Sequence, residues 1–137
     1  MKALELARKV ALLSFGDRLR DAAAAVLRDG VCAAVVDGDH VIGLLTESDI
    51  VEAVARGVSA DAPVVEAVDK PPLLVEGHEP LWRVAEAMMA AGTAVAAVTV
   101  GGRFVGVISA ADMADAEGQL AEAARFSELV GSFAPPA

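Results

Sequence analysis

The segment Gly43-Leu44-Leu45-Thr46-Glu47-Ser48-Asp49-Ile50 has an echo in the same chain, Gly106-Val107-Ile108-Ser109-Ala110-Ala111-Asp112-Met113. Gly106 follows Gly43 by 63 residues, and the same spacing separates Thr46 from Ser109 and Asp49 from Asp112. Each copy is an apolar run closed by a hydroxyl residue, two spacers and an aspartate. A repeat of this period in a chain of 137 residues leaves room for two units. A unit of roughly sixty residues buries only a marginal core by itself. The two are therefore expected to pack on each other about a pseudo-two-fold axis, leaving equivalent clefts near the repeated turns.

The residues between the echoes repeat as well. Val10–Leu13 reads as a short strand after a short helix over 3–9, and Asp17 is placed to cap the helix that follows. Leu19, Ala22, Ala23, Val26 and Leu27 mark one apolar helical face, ended by Gly30. A β-prone run over Cys32–Val36, a turn at Asp37-Gly38-Asp39 and a return strand over His40–Leu45 form a hairpin. Thr46 then opens a helix with Ile50, Ala53 and Val54 on one face, closing at Gly57.

The order restarts with Leu73–Val75 as a strand and Pro80 in the first turn of a helix. Leu81, Val84, Ala85, Met88 and Met89 repeat the apolar spacing of the first helix. Gly92 follows Gly30 by 62 residues, so the second copy carries one extra residue before its strand. Ala94–Val100, the turn Gly101-Gly102 and Arg103–Ile108 make the second hairpin, and Ser109 opens the last helix of the repeat. Between the units, Pro63, Pro71, Pro72 and the stretch Val64–Val68 read as a structured connection. Beyond Gly118, Phe126, Leu129, Val130 and Phe133 have the spacing of one amphipathic helix face, and Ala134–Ala137 reads as a frayed end. The expected division is residues 1–60, residues 61–117 and a C-terminal helix and tail over 118–137.

Composition narrows the function. Hydrophobic residues make up 55% of the chain but aromatic ones only 4%, so the core should be built from small side chains in close contact. A net charge of −9 with no basic run opposes a sequence-independent grip on nucleic acid or on an anionic membrane. The single cysteine, Cys32, excludes an internal disulfide and fits a reducing cytoplasm; in a strand it reads as a small buried hydrophobe. Met1-Lys2-Ala3-Leu4-Glu5 brings in charge at once, unlike a secretion signal, and no apolar run approaches the length of a membrane span. His40 and His78 have no ligand spacing between them, so no metal site is expected. No nucleophile, base and orienting group converge as an enzyme would need.

Thr46-x-x-Asp49 and Ser109-x-x-Asp112 have a structural reading as helix starts, the hydroxyl accepting from backbone N–H groups and the acid sitting in the first turn. Their recurrence adds a functional one. A helix start with a free hydroxyl suits a phosphate, and an aspartate beside it accepts from both hydroxyls of a ribose. Taken with the small-residue strands and turns before each copy, these motifs make residues 2–117 resemble a tandem pair of CBS domains, the Bateman-type regulatory module.

The resemblance implies an α+β fold of mixed α/β layers, two βαββα repeats in a pseudo-symmetric pair, and commonly a homodimer. It implies a non-catalytic sensor of an adenosine-containing ligand, AMP, ADP, ATP or S-adenosylmethionine, that regulates an unidentified protein and requires no cofactor. By position, Asp49 and Asp112 would hold ribose hydroxyls, and Thr46 and Ser109 would meet phosphate or ribose. Cys32, Ala33, Val95 and Ala96 would flank the base. The spacers Glu47, Ser48, Ala110 and Ala111 hold no cation for phosphate, and Ala34 and Ala97 stand where a proline is common. A neutral or cationic adenosyl ligand therefore stays open, and so does a purely structural dimerisation module. Arg56, Lys70 and Arg103 are the cations that folding would have to bring to the cleft if phosphate is to bind.

Overall fold

The computed structural model describes residues 1–118; the expected amphipathic face at Phe126–Phe133 lies outside them. The elements run α1 (Ala3–Leu6), β1 (Ala11–Leu13), α2 (Leu19–Asp29), β2 (Cys32–Asp37), β3 (His40–Thr46), α3 (Glu47–Ala55), a 3-10 turn (Val64–Ala67), β4 (Leu74–Glu76), α4 (Leu81–Ala91), β5 (Val95–Val100) and β6 (Arg103–Ser109). Another helix, α5, covers residues 110–118. This is the mixed α/β fold expected of two matching repeats.

Each repeat has a three-stranded sheet, β1-β2-β3 in the first and β4-β5-β6 in the second. The outer strand is parallel to the middle one, and the hairpin pair is antiparallel. The likeness extends to register. Val35 faces Gly43 where Val98 faces Gly106, and each strand then bulges by a residue, between Val35 and Val36 and between Val98 and Thr99. A bulge kinks its strand and increases the local twist, so the two sheets are bent at the same place. The extra residue of the second copy falls between Gly92 and β5, where the Thr93 hydroxyl donates to the Val95 carbonyl (3.0 Å) and accepts from its N–H (3.3 Å).

Two helices, α2 and α4, differ from expectation in detail. Asp17 does not cap α2. Its carboxylate turns back to accept from the N–H of Ser14 (2.8 Å), and Arg18 takes the cap position with its N–H donating to Asp21 (2.9 Å). The apolar faces of α2 and α4 are also narrower than their spacing implied. Leu19, Ala22, Ala25 and Val26, and in α4 Leu81, Val84 and Met88, are buried, whereas Leu27 and Met89 are 85% and 82% exposed.

The core is made of small side chains. Ala33, Ala34, Ala96 and Ala97 are wholly buried on the middle strands, and a third apolar cluster of Cys32, Val95 and Val107 joins the repeats. The hairpins also touch, with the Phe104 N–H donating to the Asp39 carbonyl (3.2 Å) and Arg103 3.5 Å from the Asp39 carboxylate.

The N-terminal segment crosses over. Ala3, Leu6 and Ala7 pack into the core formed by β4, α4, β5 and β6, and Ala3 and Leu4 donate backbone hydrogen bonds to Glu79 and Gly77 (both 2.9 Å). The connection after α3 packs back on the first repeat, Val58, Val64 and Ala67 joining the core of α2, β2 and β3. Each repeat is thus completed by the chain segment that precedes the other's outer strand.

Candidate functional site: a cleft between the repeats

Both copies of the motif line one cleft of about 880 Å³. Its walls are the C-terminal end of α2 with Val31, Leu44, Thr46 through Asp49 and Glu52, the connection Lys70–Leu73, the end of α4 through Val95, and Ser109, Ala111 and Asp112. The sequence led us to expect separate equivalent clefts; the repeats instead bring Thr46, Asp49, Ser109, Asp112 and Val95 to one continuous hollow. Cys32, Ala33 and Ala96 are wholly buried and do not line it. Cys32 packs with Val95, Val31 and Leu44, the residues that do, and so lies one layer behind the wall.

The two motifs share a spacing but not a hydrogen-bonding pattern. In the first, Asp49 Oδ2 accepts from both the N–H and the hydroxyl of Thr46 (2.9 Å each), while the Asp49 N–H donates to Thr46 Oγ1 (3.3 Å). This reciprocal box fixes the start of α3 and holds the carboxylate at the cleft wall by one oxygen. In the second, the Asp112 N–H donates to Ser109 Oγ (3.1 Å), but the carboxylate turns to Arg8. Arg8 Nη2 donates to Asp112 Oδ1 (3.2 Å), and Nε stands 3.0 Å from Oδ2. Oδ2 is buried and receives no aligned N–H, so its contact with Nε is one of charge rather than a well-formed hydrogen bond.

Arg8 escaped the sequence reading because nothing marks an N-terminal arginine as a neighbour of a residue 104 positions later. Of the three cations that were singled out, Lys70 lines the cleft. Arg56 instead stands 3.7 Å from Asp69, and Arg103 stays at the hairpin turn with Asp39. The lining carries the carboxylates of Asp29, Glu47, Asp49, Glu52 and Asp112 against only Arg8 and Lys70. With Arg8 paired, a positively charged or neutral guest meets less opposition here than a polyphosphate.

The family model of the CBS domain matches residues 4–56 and again 64–118. The chain belongs to the CBS-domain family. Among solved structures, a CBS domain protein from Pyrobaculum aerophilum complexed with AMP superposes with a TM-score of 0.74 at 23% identity, over 82% of this chain and 89% of that one. A putative acetoin utilization protein from Vibrio cholerae gives 0.81 at 18% identity, over 91% and 97%. A CBS domain pair in complex with 5′-methylthioadenosine and S-adenosyl-L-methionine gives 0.72 at 18% identity, over 84% and 98%. At these identities the likeness establishes the fold. Among curated proteins no relative matches the sequence.

Proposed function

We propose that this CBS pair is a regulatory module that takes an adenosine-containing ligand in the cleft between its repeats. The observation that carries the reading is the convergence of two hydroxyl–x–x–aspartate helix starts on one hollow of ligand size. Support comes from the fold neighbours solved with AMP and with 5′-methylthioadenosine and S-adenosylmethionine. Asp49 accepts the ribose hydroxyls through the oxygen that Thr46 leaves free, and Val31, Leu44 and Val95 supply apolar contact for the base.

The excess of carboxylates in the lining favours S-adenosylmethionine or a neutral adenosyl compound over ADP and ATP. The module is non-catalytic and cytoplasmic; no helix of the described residues is long and apolar enough to cross a membrane. Its signal is differential binding: a ligand that prefers one arrangement of the repeats shifts the population toward it. A homodimer or a regulated protein receives that shift.

A thermal-shift panel of adenosine, AMP, ADP, ATP, S-adenosylmethionine and NAD tests the reading. The expected result is a higher melting temperature with S-adenosylmethionine or adenosine, since a ligand that binds only the folded state stabilises it by mass action. The gain should vanish in Asp49→Ala. A flat response across the panel would favour the second reading, a structural dimerisation module, which the exposed Leu27 and Met89 support.

A further inference from the structure

The Arg8–Asp112 pair sits where the symmetry of the fold calls for a second ligand acceptor. Asp112 matches Asp49 in sequence and lines the same cleft, but its carboxylate is approached by the guanidinium through both oxygens, at 3.2 and 3.0 Å. Arg8 is not a loose terminal side chain. Its backbone bridges β6 in both directions, its N–H donating to the Val107 carbonyl (2.9 Å) and its carbonyl accepting from the Val107 N–H (2.8 Å). A Cβ on Gly106 would stand 2.8 Å from the Arg8 carbonyl oxygen, so the glycine of the second motif is what lets this segment lie so close.

Among the described residues the first repeat has no such clamp. The residue 63 positions after Arg8 is Pro71, which has no N–H to donate to a strand. The chain that crosses Gly43 there is Val68, through its side chain. The cleft is therefore open at Asp49 and closed at Asp112.

We infer that Arg8 is the residue that sets how many ligands this cleft holds: clamped on Asp112, it leaves the Asp49 half as the single adenosyl subsite. The inference rests on the sensor reading above. Asp112's carboxylate receives its side-chain contacts from Arg8 among the described residues. Removing the guanidinium frees both oxygens for the vicinal hydroxyls of a second ribose. Because the pair is partly solvent-exposed, with side chains 47% and 21% accessible, raised salt weakens it as well.

Isothermal titration with S-adenosylmethionine and, separately, with AMP tests the inference on the wild type, Arg8→Gln, Arg8→Lys, Asp49→Ala and Asp112→Ala. The expected result is one molecule bound per chain in the wild type, lost in Asp49→Ala and still one per chain in Asp112→Ala, whose affinity shifts with the charge of the probe because Arg8 is unpaired. Arg8→Gln should gain a second molecule per chain. Arg8→Lys keeps a charge without the two-pronged reach and should fall between them, a check that does not depend on tolerance of the glutamine. Two molecules per chain in the wild type, or binding lost in Asp112→Ala and kept in Asp49→Ala, would overturn the inference and leave the sensor reading standing. No binding of either probe to any variant would overturn both.

Discussion

Cys32 shows how position, rather than residue type, decides chemistry at the scale of one side chain. It is wholly buried between the repeats, and burial, with Asp49 and then Asp29 nearby, raises its thiol from the ordinary 9.0 to about 12. The thiolate is the nucleophile, so Cys32 should resist an aromatic disulfide reagent at pH 8 until the protein unfolds. The same shift makes stability depend on pH. The folded chain holds the proton after the unfolded chain has released it, so this contribution is intact below about pH 9 and is lost as pH rises toward 12. Denaturant titrations at pH 8 and pH 10 should show the loss, and Cys32→Ala should flatten it. Reading Cys32 as a buried hydrophobe was possible from its β-prone neighbours. Its exclusion from the cleft surface was not, because a strand pattern does not say which of two packed layers faces a hollow.

At the scale of elements, the repeated hairpins were legible because turn glycines and apolar runs act locally. The two crossing segments were not, because their contacts join residues far apart in the chain. Gly43 and Gly106 occupy one position of the repeat but meet different neighbours. At Gly43 an added Cβ would come within 2.7 Å of the Val68 side chain, and at Gly106 within 2.8 Å of the Arg8 carbonyl. The contact at Gly43 is with side-chain methyls, whereas at Gly106 it is with the Arg8 backbone, which is pinned to β6 by two hydrogen bonds. Gly106→Ala should therefore cost about 1–3 kcal/mol, the usual range for overpacking, and Gly43→Ala less. Chemical denaturation checks the order; equal costs, or the reverse, would mean that the two segments are held alike. Spacing identified the helices α2 and α4, but Leu27 and Met89 each lie one residue, about 100° of helix rotation, past the buried Val26 and Met88.

On the scale of the whole molecule, Leu27 and Met89 are equivalent, each three residues before the glycine that ends its helix. Val51 and Val54 on α3 are exposed as well, at 63% and 58%. Apolar side chains set at matching places on a pseudo-symmetric body form a surface that a second copy of the chain would cover. Sedimentation should show a dimer that the double substitution Leu27→Glu, Met89→Glu converts to monomer without loss of helicity. An unchanged dimer would place the contact elsewhere. Pseudo-symmetry was legible from the repeat itself. That it places both motifs on one cleft, with one of the two acids already occupied, required the folded chain, because Arg8 reaches Asp112 only through the crossover of the N-terminal segment.

The most direct test of the account is amide chemical-shift mapping on the full chain during titration with S-adenosylmethionine. Saturable changes are expected at Val31, Leu44–Glu52, Lys70, Leu73 and Thr93–Val95, with Ser109–Asp112 moving less while Arg8 stays paired. Changes confined to the outer faces of α2 and α4, or none up to millimolar ligand, would contradict it.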